Sequence, residues 1–173
     1  FRRCAVHQQT QRTFAVAMTP GIESNAVTIL DSHLKVVATV EAAENTEGEC
    51  PIRDVAVHGD QVIVLTGDCH PKGPGLRLLD LDGRFLRTIA AGRLRNPQAV
   101  AASGGRAFVI DDNDEVLWSA VLHVIEIHSG NILQTESLDL SGPDISSIIV
   151  DGDEIYIADF SAAKVIALPF AGS

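Results

Sequence analysis

The stretch PIRDVAVHGDQVIVLTGD (residues 51–68) contains the pattern that decides the fold. A proline opens it, two apolar runs follow, and the polar sequence His58-Gly59-Asp60 separates the two runs. Short apolar runs joined by a tight turn that contains glycine are typical of a β-hairpin. The stretch therefore predicts two antiparallel strands.

The same hairpin pattern recurs along the chain. Pro51, Pro97 and Pro143 are each 46 residues apart. The first copy aligns with PQAVAASGGRAFVIDDND (residues 97–114) and with PDISSIIVDGDEIYIADF (residues 143–160). Each copy has a polar turn between its apolar runs: Gly59-Asp60, Gly104-Gly105 and Asp151-Gly152-Asp153. A fixed internal period of this length indicates a repeat architecture.

A second hairpin completes each repeat. GLRLLDLDGRFLRTIA (residues 75–90) matches VLHVIEIHSGNILQTESL (residues 121–138), and residues 4–20 and 25–40 form a looser copy of both hairpins. AKVIALPF (residues 163–170) supplies a third strand to the last repeat. Four strands in a period in the forties are the mark of a β-propeller blade. A β-sandwich or a barrel is the competing fold, but neither requires an internal repeat.

We therefore predict an all-β chain forming one β-propeller domain or fragment over residues 1–173. It would have about four four-stranded blades, with approximate bounds 1–49, 50–96, 97–142 and 143–173, the last blade being incomplete.

The repeat resembles the NHL-repeat propellers. The matching features are the proline before Val55-Ala56-Val57, the second strands VIVLTGD, AFVIDDND and IYIADF, and the closing segment LLDLDGRFLRTI. The resemblance implies a module that recognises a protein substrate or RNA, as in the C-terminal propeller of intracellular tripartite-motif ubiquitin ligases. The ligase activity would lie in a domain outside this chain. A secreted branch of lyases and lactonases gives a metal-dependent enzyme as one alternative. A structural or oligomerisation domain is the other.

Two features depart from the NHL pattern. The repeats lack the regular basic residue that follows the second-strand aspartate, and four blades are fewer than the usual six. The chain could be part of a larger propeller, associate as two copies, or close with four blades. Its start at Phe1 favours the first of these.

Charge and cysteine content limit the partners and the location. A formal net charge of −10 argues against general attraction to nucleic acid, so a protein partner is favoured over RNA. No apolar run reaches the roughly 18–20 residues that cross a bilayer, so no membrane insertion is expected. Cys4, Cys50 and Cys69 lack zinc-ligand spacing, and no signal peptide is visible, which favours a cytoplasmic location.

No residue pattern in the chain predicts catalysis. The six histidines form no close pair on one strand, and His7 and His58 occupy the same repeat position, at the end of a first strand. The acidic stretch at residues 111–115 lacks the glycine and the distant glutamate of a calcium loop, so we predict a solvated loop. We therefore predict no catalytic residue, no metal ligand and no cofactor.

A recognition face is the remaining prediction. In a propeller, the connections from second to third strand and from fourth to next first strand emerge on the same side. That side would carry Arg53, His70, Lys72, Arg93, Arg95 and Trp118. Arginine binds anionic groups bidentately and tryptophan stacks or fills a pocket. The alternative is a set of scattered, solvated charges. Self-association through open blade edges is a further expectation.

Overall fold

A computed structural model describes residues 3–16, 26–41, 51–67, 72–112, 119–139 and 145–170. The regular elements in these residues are all strands. They are β1 (Arg3–His7), β2 (Arg12–Val16), β3 (Ala26–Leu30), β4 (Val36–Glu41), β5 (Ile52–His58), β6 (Gln61–Thr66), β7 (Gly75–Asp80), β8 (Phe85–Ile89), β9 (Asn96–Ser103), β10 (Arg106–Asp112), β11 (Ser119–Glu126), β12 (Ile132–Asp139), β13 (Ile145–Asp151), β14 (Glu154–Asp159) and β15 (Lys164–Pro169).

The strands form four antiparallel sheets, and each sheet uses consecutive strands of the chain. Strands β1–β4 form blade 1, β5–β8 blade 2, β9–β12 blade 3, and β13–β15 the three-stranded blade 4. The prediction of an all-β propeller with four blades is confirmed. In the part of the chain that is described, no helix is long and apolar enough to cross a membrane.

The hairpin turns follow from their glycines. Gly104 and Gly105 connect the paired residues Ser103 and Arg106 and have φ angles of 56° and 75°. Positive φ at both central residues is the geometry of the type I′ turn, whose twist matches that of the flanking strands. The turn therefore keeps the register of the β9–β10 hairpin that the sequence repeat predicts.

The chain divides into two compact units, Phe1–Leu94 and Arg95–Ser173. In the first unit, blades 1 and 2 share one core, which includes Phe14, Val27, Ile29, Val55, Val62 and Val64. In the second unit, blades 3 and 4 share another, which includes Phe108, Ile110, Leu122, Ile148, Ile155 and Ile157. Removing each such side chain from water contributes roughly 1.5–3 kcal/mol, so packing between blades is the main stabilising term in both units.

Candidate functional site

One edge of blade 2 carries three of the residues predicted for recognition. At this edge Thr66 ends β6, and it pairs with Ile52 of β5 and with Gly75 of β7. Ile89, the last residue of β8, pairs with Leu76 beside Gly75. The connection after β6 and the segment after β8 therefore leave the sheet together. Arg53, Lys72 and Arg93 lie on these segments or beside them, and we call this group the basic edge.

Two glycines bring the segments of the basic edge into backbone contact. The N–H of Gly92 donates to the carbonyl of Pro74 at 2.9 Å. A Cβ on Gly73 would lie 3.2 Å from the Cα of Gly92, and one on Gly92 would lie 3.2 Å from the carbonyl oxygen of Lys72. Both glycines also have positive φ, 70° and 66°. Any side chain would separate the segments, so these positions favour glycine.

The backbone contact fixes the positions from which the side chains of Lys72 and Arg93 extend. Lys72 directly precedes Gly73, and Arg93 directly follows Gly92. Both side chains are exposed, and Leu94 is buried beside Arg93. The N–H of Arg93 donates to the carbonyl of Ala90 at 3.1 Å, which closes the turn. Segments 72–75 and 90–94 contain no acidic residue, so their side-chain charge is positive.

Arg53 is held against the connection after β6. It is half-buried in β5, and a Cβ on Gly67 would lie 3.0 Å both from its Nε and from the Cγ of Pro51. The N–H of Gly67 donates to the carbonyl of Pro51 at 2.7 Å, and this bond holds the first residue after β6 against the residue before β5. The Arg53 side chain therefore packs against Gly67 at this edge.

Arg95 belongs to the second unit, where a buried carboxylate holds its backbone. The N–H groups of Arg95 and Asn96 donate to Asp111 at 2.9 and 2.7 Å. The Nε2 of His123 lies 3.4 Å from the same carboxylate, and its Nδ1 is hydrogen-bonded to the Thr135 hydroxyl at 2.9 Å. The side chain of Arg95 is exposed.

This network corrects the prediction of a solvated acidic loop for its first two residues, Asp111 and Asp112. Asp111 is 2% exposed and lies in β10, and Asp112 is half-buried in the same strand. The physical reason is that backbone N–H groups satisfy the Asp111 carboxylate, which offsets the cost of burying it. Residues 113–115 lie outside the described residues, as do His70, Trp118, Cys50 and Cys69. Cys4 is an exposed free thiol.

The second unit also has a cleft of about 240 Å³, at the edge opposite Asp111, which no sequence pattern predicted. Its lining residues are Ser103, Gly104, Arg106, Phe108, Val150, Gly152, Asp153 and Phe170. The guanidinium carbon of Arg106 lies 5.3 Å from the ring centroid of Phe170, whose ring meets Phe108 edge-on at 4.9 Å. The aligned turns at Gly104 and Gly152 are the sequence signal for this neighbourhood.

A charged contact also joins blades 1 and 2 at their turns. The Arg12 guanidinium donates to the carbonyl of Leu81 and to the Asp82 carboxylate, both at 2.7 Å. This side-chain hydrogen bond lowers the pKa of Asp82 below its usual value. Within the described ranges, no three His, Cys, Asp or Glu side chains are grouped so that they could hold a metal ion.

Comparison with known proteins shows the fold and no family. No protein-family model matches the chain, and no curated protein matches it. Among solved structures, the computationally designed Ika4 protein is 10% identical, with a TM-score of 0.61 over 98% of this chain and 91% of that one. The hydrazine synthase of Kuenenia stuttgartiensis is 12% identical, with a TM-score of 0.63 over 96% of this chain and 53% of that one.

A chain of the mitotic checkpoint complex is also 12% identical, with a TM-score of 0.68 over 99% of this chain and 47% of that one. This chain therefore spans about half the length of the last two matches. At such low identity these similarities show the propeller fold alone.

Proposed function

We propose that this chain is a non-catalytic recognition domain that binds an acidic segment of a protein partner through the basic edge of blade 2. The observation that carries the proposal is the backbone contact between Gly73 and Gly92. It holds exposed Lys72 and exposed Arg93 on touching segments, with Arg53 packed at the same edge.

The chemistry of these side chains fits carboxylate groups. Arginine presents a planar fork that pairs with a carboxylate through two hydrogen bonds, and lysine adds a compact positive charge. One exposed ion pair contributes about 0–1 kcal/mol, so recognition needs several cations at once. Arg95 follows Arg93 by two residues in the sequence, and His70 and Trp118 remain in the proposal as neighbours on predicted connections.

A protein partner fits the overall charge better than RNA does. The chain has a formal net charge of −10, which opposes approach of a uniformly charged polyanion. A peptide segment with a few acidic side chains makes use of the basic edge at a smaller long-range cost.

We also propose which class of larger protein contains this chain. The resemblance of segments such as LLDLDGRFLRTI to NHL repeats supports a substrate-recognition domain of an intracellular, cytoplasmic ubiquitin ligase. A metal-dependent propeller enzyme is the alternative. Elemental analysis of the purified protein separates the two, because a stoichiometric bound cation would favour the enzyme.

The test is a charge reversal at the basic edge with a matched control. Lys72→Glu/Arg93→Glu is compared with Lys35→Glu/Arg84→Glu, which makes the same charge change at the turns β3–β4 and β7–β8. Both variants and the wild type are used to capture partners from cytosolic extract, with and without RNase. We expect protein partners that survive RNase, bind the control and are lost with the first variant.

Two other results would change the proposal. Partners that disappear on RNase treatment would make the chain an RNA-binding domain. Equal capture by the wild type and both variants would show that the basic edge does not bind the partner.

A further inference from the structure

Each blade has two faces, and the register of the repeats makes them comparable. Phe14 of blade 1 and Phe108 of blade 3 occupy the same position in their second strands, and each packs towards the blade that follows. We call this side the forward face. The opposite side of the following blade, which carries Val62 in blade 2 and Ile155 in blade 4, is the backward face. In the described residues, forward-to-backward contact joins blades 1 and 2 in the first unit and blades 3 and 4 in the second.

The forward face of blade 4 is uncovered. Ile149 is 58% exposed and Val165 is 66% exposed. The equivalent residues of blade 2 are Ala56, which is 7% exposed, and Leu76, which is completely buried. Cross-strand pairing supports this equivalence, because Ile149 pairs with Tyr156 as Ala56 pairs with Ile63.

The backward face of blade 1 is exposed along β1, although Ala15 and Leu30 on the same face are buried. Val6 is 52% exposed, and Cys4 on the same face of β1 is exposed. The residue of blade 2 equivalent to Cys4 is Val55, which is buried in the shared core. A chain with one exposed forward face and one exposed backward face carries both halves of the contact it already makes between its own blades.

We propose that two copies of this chain associate head to tail, with the forward face of blade 4 of one copy packed on the backward face of blade 1 of the other. Repeated units bury their apolar faces against neighbours, and the contact continues an interface already present within the chain. Such a contact is heterologous, because different surfaces of the two copies meet.

Edge-to-edge pairing of two β15 strands is the competing geometry, and the sequence of β15 disfavours it. Pro169 lacks an N–H group, and exposed Lys164 lies at the other end of the strand. Proline and lysine on an edge strand are features that block pairing with another chain. The faces of the blades, and not the strand edges, are therefore the surfaces that associate.

The forward face of blade 4 also has small side chains, which sets the strength of the contact. Ala158 and Ala167 stand where blade 2 has Leu65 and Leu78. Smaller side chains remove less apolar surface from water, so association should be reversible and depend on concentration.

Sedimentation velocity over a range of concentrations tests the proposal on the full 173-residue chain. We expect the wild type to shift towards dimers and larger head-to-tail oligomers as concentration rises, because each added copy leaves one free face of each kind. Val165→Asp and Val6→Asp should each abolish the shift, since each places a charge on one of the two faces. Leu133→Asp changes an exposed leucine of β12 and should leave it intact.

Mixing the two variants gives the sharper result. The Val6→Asp copy retains an intact forward face, and the Val165→Asp copy retains an intact backward face, so the mixture should again form a dimer. Association that survives Val6→Asp, a mixture that stays monomeric, or a wild type that is monomeric throughout would overturn the proposal. Neither variant alters the basic edge, so partner capture is an independent measurement.

Discussion

Blades 2 and 4 share a strand register and a first turn, yet they differ in how much of each is buried. Blade 2 has buried side chains on both faces, such as Val64 on one and Leu78 on the other. In blade 4 the face with Ile155 is buried, and the face with Val165 is exposed. The same repeat is therefore buried on both faces in blade 2 and on only one face in blade 4. The difference appears in the sequence as leucine at positions where blade 4 has alanine or valine.

The largest effect should come from truncating equivalent residues in the two blades. Leu76→Ala removes a completely buried side chain and should lower the free energy of unfolding by about 2–5 kcal/mol, because a cavity remains. Val165→Ala should cost less than about 0.5 kcal/mol, as expected for an exposed site. Urea denaturation at low protein concentration measures both. Equal losses would mean that the two blades are buried alike.

The buried carboxylate of blade 3 has no counterpart in blade 2, where Thr66 takes the equivalent position. Asp111→Ala leaves the N–H groups of Arg95 and Asn96 without their acceptor and should cost about 1–3 kcal/mol. Thr66→Val removes one hydrogen bond to the carbonyl of Gly75 and should cost about 1 kcal/mol. Hydrogen exchange at residues 95 and 96 checks the mechanism. Unchanged exchange in Asp111→Ala would contradict it.

The stability that depends on the close contact at Gly92 can be measured apart from the stability that depends on its positive φ. Gly92→Ala should cost about 1–2 kcal/mol for the left-handed conformation, with an added loss because the new Cβ approaches the Lys72 carbonyl at 3.2 Å. Gly104→Ala has the same kind of φ but open space around its Cβ. It should therefore lose only the stability that the left-handed conformation costs. Thermal unfolding compares them. If Gly104→Ala were the more destabilising, the backbone contact would not matter.

The smallest effect should be the acid response of the ion pair between blades 1 and 2. Arg12 lowers the pKa of Asp82, so the pair stabilises the fold above the usual aspartate pKa, and this contribution is lost as the pH falls through the lowered value. The stability difference between wild type and Arg12→Gln should therefore shrink from pH 7 to pH 2. Asp82→Asn should remove the pH-dependent part, and added salt should weaken it. A difference independent of pH would assign the effect to the Leu81 hydrogen bond.

The repeat made most of the fold predictable. Two-residue turns such as Gly104-Gly105 fix the register of the first hairpins of blades 2, 3 and 4, and alternation of apolar residues fixes which side chains enter a core. The sequence also placed Lys72 and Arg93 on one edge, because strand order determines which connections lie together. It did not reveal the contact of Gly73 with Gly92, which depends on the path of two separate segments.

The surroundings of Asp111 in the second unit were less predictable from the sequence, because they too depend on backbone contacts. Asp111 has backbone N–H groups as partners, and these groups leave no pattern of residue types in the sequence. The run of acidic residues suggested solvent exposure, whereas β10 carries its first member into the interior. The aromatic contact of Phe108 in β10 with Phe170, which follows β15, joins residues far apart in the sequence and has no local signature.

The glycine contact at the basic edge has a consequence for the kinetics of binding. Segments that are already tied together by the Gly92–Pro74 hydrogen bond have little conformational entropy left to lose if the proposed partner binds there. At the basic edge the charges attract the proposed acidic segment at short range, whereas the net charge of −10 opposes its approach, so salt should act on the association rate through both terms. Dissociation should change far less with salt, because it depends on the short-range contacts made after docking.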